Sequence, residues 1–385
     1  MSEGTHAVAL GDSLRAVTLL VPGDLNLRTG GYGYDRQIVA GLRDLGWRVG
    51  VVLLDGSFPY ATPEARAHAA GALAALPDGM LVLADGLAFG AMAEEAEAEA
   101  HRLRFVGLVH HPLADETGLE TRAVQMLMAS EQRALACTRG VVVTSHATGR
   151  SLGADYGVAR ERIAVVMPGT APAPLARGTR GFNDRGAASA VGNATSPAPV
   201  ELLCVATLVP RKGHDVLFAA LERLRQLPWH LTCAGSDTLH PATAAALREQ
   251  LRVLGLAERV TLTGDLDALA LSAAYDRADL FVLPTRHEGY GMAVAEAVAH
   301  GLPVVSTITG AIPELVDDRS GALVPMDHPA ALAAALQPLV ADDGARARVS
   351  AGARRRRDML PRWPDSARAM AEALTRFAGN GIVQR

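Results

Sequence analysis

Pro284-Thr-Arg-His-Glu288-Gly-Tyr-Gly291-Met-Ala-Val-Ala-Glu296-Ala-Val-Ala-His300-Gly-Leu-Pro-Val-Val305 follows a short apolar run, Leu280 to Leu283. It breaks at Pro284, passes a glycine-flanked turn and enters an Ala- and Val-rich segment that predicts a helix over Gly289 to His300. A further strand is expected at Pro303 to Ser306. Strand, turn, helix and strand in that order make one repeat of a parallel α/β sheet. Glu288 stands at the turn and Glu296 lies eight positions later. On an ideal helix those positions are about 80° apart, so one ligand lying along that surface could meet both carboxylates. The helix start between Gly289 and Gly291 offers free backbone N–H groups, which suit a phosphate.

The same rhythm extends in both directions. Before the quoted stretch, strands are expected at Glu201 to Ala206, His230 to Ala234 and Arg259 to Thr263, with helices at His214 to Gln226 and Pro241 to Leu254. Nearer the start they are expected at Arg15 to Val21, Arg48 to Leu54, Met80 to Ala84, Arg104 to Val109, Gly140 to Thr144 and Arg162 to Val166. Amphipathic segments such as Tyr34 to Leu45 and Glu120 to Cys137 separate them, as in a doubly wound sheet. Between the two series, 173–199 is rich in Ala, Pro, Gly, Ser and Asn without periodicity, and reads as a flexible linker. The expected organisation is an N-terminal domain over 1–172, a second domain over 200–363 and a terminal helix over about 364–385. A chain of 385 residues exceeds what one core usually organises, which agrees with two domains.

Composition narrows the function classes. With 49% hydrophobic but only 4% aromatic residues, helices and strands built from Ala, Val and Leu are favoured over an all-β sandwich. A formal net charge of -4 argues against a nucleic-acid surface. One basic run, Arg354 to Arg357 preceded by Arg346 and Arg348, reads as a solvated helix face or as a patch for peripheral membrane contact. Cys137, Cys204 and Cys233 are widely spaced in apolar surroundings and read as buried thiols, not as a disulfide framework or zinc set. No run reaches membrane-spanning length, and a cytoplasmic protein is expected.

The residues of the quoted stretch resemble a known family. Glu288, seven residues, then Glu296, in a Glu-Gly-Tyr-Gly context followed by Ala-His-Gly-Leu-Pro-Val-Val, is similar to the donor-site signature of retaining GT-B glycosyltransferases of the large group 1 family (the family 4 type). Thr309-Gly310-Ala311-Ile312-Pro313-Glu314 continues the pattern, with Ala311 where that family usually has a second glycine. The resemblance implies an α/β fold of GT-B type, two Rossmann-like domains facing across a cleft. It also implies transfer of a sugar from a UDP- or GDP-linked donor to a hydroxyl, with retention of anomeric configuration, no cofactor and no obligatory metal. Asp265 and Asp267 have metal-clamp spacing but fall in the loop matching the family's base-reading loop.

Roles carry over by position. Glu288 would contact the donor sugar near the reacting centre, and Glu296 the ribose hydroxyls, for which a carboxylate is a strong acceptor. In Val205-Ala-Thr-Leu-Val-Pro-Arg-Lys-Gly-His-Asp215, Lys212 matches the lysine that neutralises the donor diphosphate. The family's arginine position holds Thr207 here, and Arg211 stands beside Lys212 as its substitute. Two fixed cations stabilise a diphosphate leaving group without a metal. Gly289, Tyr290 and Gly291 would touch the donor sugar and phosphate through their backbone, and Gly264 and Leu266 the base.

In the N-terminal half, Thr29-Gly30-Gly31-Tyr32-Gly33-Tyr34-Asp35 resembles the family's Gly-Gly loop, with Gly31 close to phosphate; a plain turn remains open. His110, in Val106-Gly-Leu-Val-His-His-Pro112, matches a histidine near the donor sugar, and Ser145 is a helix cap or a sugar contact. Two alternatives share the architecture: a nucleotide-sugar epimerase, and a sugar-nucleotide binding protein without catalysis. The acceptor (saccharide, lipid-linked glycan or small molecule) is not legible.

Overall fold

The structure is a computed structural model that describes residues 15–27, 29–179 and 198–379; most of the expected linker, 180–197, lies outside the described residues. Two compact units emerge, one from Met1–Gly169 with Pro361–Arg385, the other from Thr170–Leu360.

Unit 1 carries six parallel strands: β1 (Ala16–Pro22), β2 (Arg48–Leu54), β3 (Leu81–Asp85), β4 (Arg104–Val109), β5 (Gly140–Val143) and β6 (Ile163–Val165). Their order is β2-β1-β3-β4-β5-β6. The chain therefore winds one way from β1 to β2 and the other way from β3 onward, which puts the topological switch between β1 and β3. Strands β3 and β5 are buried along their whole length, as expected where helices cover both faces of a parallel sheet. The Thr29 hydroxyl accepts a bond from the Tyr32 N–H at 3.4 Å and caps the helix Gly30–Asp44. The expected glycine loop is thus already helical from Gly30, because this cap starts the helix ahead of the glycines.

The terminal helix Trp363–Gly379 packs within unit 1 and buries Met370, Leu374 and Phe377. Each such side chain contributes about 1.5–3 kcal/mol by leaving water. The Ser366 hydroxyl donates to the Met167 carbonyl at 2.7 Å and Arg376 to the Glu161 carbonyl at 2.6 Å, which fixes the helix lengthwise.

Unit 2 also has six parallel strands: β7 (Val200–Val205), β8 (Trp229–Ala234), β9 (Val260–Leu262), β10 (Leu280–Leu283), β11 (Val304–Thr307) and β12 (Gly321–Val324), ordered β12-β11-β10-β7-β8-β9. Here the switch lies between β7 and β10. Strand β12 was not expected: Gly-Ala-Leu-Val is too short to announce itself, and it is a strand because it pairs with β11, Val304 opposite Gly321.

Two expectations need correction. Cys204 and Cys233 are buried, but Cys137 is only half-buried, since it ends the surface helix Thr121–Ala136. The basic run is not simply a solvated face. Arg356 donates to the carbonyls of Glu314 and Leu315, Arg357 to that of Ala173 at 2.7 Å, and Arg346 to that of Leu339 at 2.6 Å. Guanidinium groups here satisfy carbonyls that helix and loop ends leave open. Among the described residues, no helix is long and apolar enough to cross a membrane.

Candidate active site

Because β7 and β10 are neighbours in the sheet, the loops leaving their carboxyl ends must run side by side. The first makes the 3₁₀ turn Pro210–Lys212; the second carries Glu288. The Arg286 N–H donates to the Arg211 carbonyl at 2.7 Å, and Arg211 Nη1 donates to the His287 carbonyl at 2.9 Å, so the loops brace each other. Lys212 Nζ then reaches Glu288 Oε1 at 2.5 Å, with the two side chains 16% and 9% exposed. Burial by itself would raise the Glu288 carboxyl; Lys212 and, after it, Arg211 outweigh that and hold it below the usual glutamate range. Gly310, at φ +47°, presses on the same turn: a Cβ there would sit 1.9 Å from the Glu288 carbonyl oxygen. That oxygen accepts the Ala311 N–H at 3.1 Å.

The helix of the quoted stretch is shorter than expected, Met292–Ala299, and Gly291 precedes it at φ +95°. The left-handed Gly291 turns the chain before the helix begins, so Glu288 lies outside the helix and shares no helical face with Glu296, contrary to expectation. The two carboxylates have different partners. Glu296 Oε2 accepts the Tyr275 hydroxyl at 3.0 Å, and that hydroxyl also lies 3.2 Å from the Ala293 carbonyl. Tyr275 stacks on His300 with ring centroids 4.8 Å apart. Burial raises the Glu296 carboxyl, against the opposing bond from Tyr275.

Gly289 and Tyr290 stand in the turn before the helix. The Tyr290 ring is buried and its hydroxyl has no hydrogen-bond partner among the described residues. Gly264 follows β9 at the sheet edge, where its carbonyl accepts the Gly235 N–H at 3.0 Å; half-buried Leu266 follows. Asp267 of the metal-clamp spacing is a helix cap, its Oδ1 accepting the Ala270 N–H at 2.8 Å.

In unit 1, His110 directly follows β4, one strand beyond the switch, and Gly31 lies close enough that a Cβ there would be 3.6 Å from the imidazole. The ring nitrogen Nε2 lies 3.3 Å from Asp35 Oδ1 and 3.6 Å from Asp85 Oδ2, at ion-pair distance but not aligned for a linear hydrogen bond. Asp35 and Asp85 are 1% and 2% exposed. Burial works against a charged imidazole, yet Asp35 and then Asp85 raise His110 well above the ordinary histidine range. His111 instead points to Glu116, 3.8 Å away. Ser145 is the cap of the helix His146–Asp155, accepting the Thr148 N–H at 3.0 Å.

Sequence reasoning missed three partners: Asp35 and Asp85 at His110, and Tyr275 at Glu296. Asp35 stood inside the glycine-rich string with no role assigned. Asp85 had a usable signal, a carboxylate at the carboxyl end of a buried strand. Tyr275 had none, since its distance in sequence to Glu296 hides the contact.

Comparison with known proteins covers both units. Residues 199–342 match the family model described as glycosyl transferases group 1. A D-inositol 3-phosphate glycosyltransferase of Xylanimonas cellulosilytica is 32% identical over 251 residues, 63% of this chain and 58% of that protein. One of the same name from Kineococcus radiotolerans is 30% identical over 280 residues, 66% of this chain and 61% of that protein. The chain thus spans about three-fifths of the length of these curated relatives. Among solved structures, sucrose-phosphate synthase of Thermosynechococcus elongatus aligns with a TM-score of 0.77 at 20% identity, over 93% of this chain and 98% of that one. HepE of Anabaena, solved with UDP and glucose, aligns with a TM-score of 0.72 at 17% identity, over 92% and 98%. Both sheets are doubly wound as in these GT-B structures, and the unit that carries Lys212, Glu288 and Glu296 matches the group 1 glycosyl transferase family over residues 199–342.

Proposed function

We propose that the chain moves a sugar from a UDP- or GDP-linked donor to a hydroxyl acceptor, and that unit 2 holds the donor. The observation that carries this is the Lys212–Glu288 pair at the switch point of unit 2, where open α/β sheets take their ligands. An ammonium has three donors. One is engaged by Glu288, which leaves two to meet a diphosphate, with Arg211 adding charge from the same turn. On this reading the Glu288 carboxylate acts partly by aiming Lys212. Glu296 receives the ribose hydroxyls, the backbone of Gly289 to Gly291 the sugar and phosphate, and the backbone around Gly264 and Leu266 the base. Gly31 is assigned to phosphate, and His110 shares charge stabilisation with Glu288.

The reaction we infer retains anomeric configuration and requires no metal. The bond between the anomeric carbon and the phosphate oxygen breaks as the acceptor oxygen bonds to the same face, and the acceptor proton passes to the departing phosphate. Fixed cations stabilise the charge that grows on the diphosphate. The acceptor classes to test first follow the relatives: a polyol phosphate, as in the D-inositol 3-phosphate enzymes, and a mannosylated glycolipid. The latter follows a GDP-mannose-dependent phosphatidylinositol monomannoside mannosyltransferase of Mycolicibacterium smegmatis, 35% identical over 152 residues, 37% of this chain and 38% of that protein.

The test is a thermal-shift screen of UDP-, GDP- and ADP-sugars against wild type, Glu296→Ala and Lys212→Ala. At a hundred times its dissociation constant, a donor adds about 2.7 kcal/mol. Stabilisation by one nucleotide that disappears in both variants supports the reading; equal stabilisation of all three proteins rejects the assigned donor site. Donor turnover without any acceptor would favour an epimerase.

A further inference from the structure

The switch point of unit 1 holds a second charged cluster, separate from the Lys212–Glu288 pair. The sheet order brings the helix that follows β1 and the ends of β3 and β4 together there. From these come Asp35, Asp85 and His110, with one carboxylate oxygen of each aspartate and a ring nitrogen of the histidine all within 4.8 Å of one another. Two carboxylates that are 1% and 2% exposed cannot both stay ionised without a positive partner. Neither Asp35 oxygen has a hydrogen-bond partner among the described residues, whereas Asp85 Oδ1 accepts the Leu87 N–H at 2.7 Å. Among the described residues, the group that can carry positive charge against them is the His110 ring.

Other groups face the cluster without supplying that charge. Tyr34 meets the His110 ring edge-on at 5.3 Å between centroids, its hydroxyl bonded to the Val166 carbonyl. Tyr32 spends its hydroxyl on the Pro22 carbonyl at 2.7 Å. Thr144 donates to the His110 carbonyl at 3.1 Å, which fixes the backbone behind the ring and not its charge.

We infer that Asp35 and Asp85 are positioning residues that hold His110 as a fixed imidazolium, with Nε2 turned to the carboxylates and Nδ1–H left as a cationic donor for an anionic oxygen of the substrate. The inference deepens the proposed function and rests on it for the identity of that oxygen, a phosphate. It excludes one role in particular. A histidine kept charged across neutral pH has no lone pair with which to remove the acceptor proton, so His110 is not a general base. The arrangement differs in this from a histidine facing a single carboxylate, which is oriented by it but still cycles between neutral and charged forms. Burial pushes the Asp35 carboxyl up to about 6, still below neutral, while His110, against its own burial, is raised by Asp35 and Asp85, so the proton belongs on the ring.

The experiment uses the full chain labelled with ¹⁵N-histidine, with the His110 signals assigned by their loss in His110→Gln. Both ring nitrogens of His110 should be protonated at pH 7.5. Asp85→Asn and Asp35→Asn should each lower the pH at which the ring titrates, by about one to three pH units for loss of one adjacent charge. Asp85→Asn is the safer variant, because its amide oxygen preserves the cap on Leu87. Asp85→Glu should return the titration towards wild type. A ring nitrogen bare at pH 7.5, or a titration unmoved by either variant, overturns the inference. With a donor in hand, the alkaline limb of turnover should move down in step with the His110 titration; a merely structural role would lower turnover at every pH and leave the limb in place. If His110 proves charged but no nucleotide sugar is bound, the proposed function falls while the positioning role stands.

Discussion

Removing Lys212 tests the centre of unit 2 most directly. In Lys212→Met the stem remains but the ammonium is gone, leaving the 9%-exposed Glu288 carboxylate without the partner 2.5 Å away. Stripping one member from a buried ion pair costs about 3–5 kcal/mol, because the remaining charge is uncompensated. Arg211, whose guanidinium also favours the ionised Glu288, places the effect at the lower end of that range. For a unit of this length, 1 kcal/mol moves the midpoint by about 2–4 °C, so 3 kcal/mol predicts a fall of about 6–12 °C. Glu288→Gln should cost less, about 1.5–3 kcal/mol, since the amide oxygen still accepts from Lys212.

The decisive comparison is the double variant. With neither charge present, the loss in Lys212→Met/Glu288→Gln should be smaller than in Lys212→Met alone. Urea unfolding of the four proteins measures this. Single-variant losses that simply add, within about 0.3–0.5 kcal/mol, would refute the pairing. The pH dependence supplies an independent check. Glu288 titrates below its ordinary 4.5, so its contribution is fully present above that pH and lost as pH falls through the folded value. The gap between wild type and Glu288→Gln should therefore close in acid.

Two further predictions concern the supports of the site. Tyr275→Phe deletes the hydroxyl 3.0 Å from Glu296 and should destabilise unit 2 by about 1–3 kcal/mol in urea unfolding. Burial raises Glu296, so its favourable contribution is complete below the ordinary glutamate range and lost as pH rises through the folded value; the variant should compare worse with wild type at pH 8 than at pH 4. Arg356→Ala abandons the Glu314 and Leu315 carbonyls and should cost about 1–3 kcal/mol, while sedimentation with anionic vesicles should not change. A large loss of vesicle binding would restore the membrane reading of the basic run.

Local sequence was enough wherever its signal was itself local. Apolar runs mark eleven of the twelve described strands; β3 and β5 are apolar along their length because both faces are covered, whereas edge strand β2 is largely exposed or half-buried and shows by its Val and Leu content alone. Lys212, Glu288 and Glu296 stand out in the sequence through the resemblance to the group 1 motif, and the structure sets Lys212 against Glu288 and Tyr275 against Glu296. What depended on non-local pairing was not legible. Strand β12 exists only as a partner of β11. The helix expected over Gly289–His300 starts only at Met292, because Gly291 takes left-handed backbone where a Cβ would sit 2.8 Å from Ile312, a contact with another segment that local sequence does not show. The arginines of the basic run looked solvated because the carbonyls they satisfy belong to other elements.

The sequence by itself therefore determined the class of the fold and the residues that bear charge, since periodicity and turn chemistry are written within a few positions of each residue. Only the tertiary structure decided which charges meet. The neighbouring of β7 and β10 set Lys212 against Glu288, and the switch between β1 and β3 gathered two buried carboxylates around His110. Strand order is a property of the whole sheet, and through it residues dozens of positions apart set one another's charge.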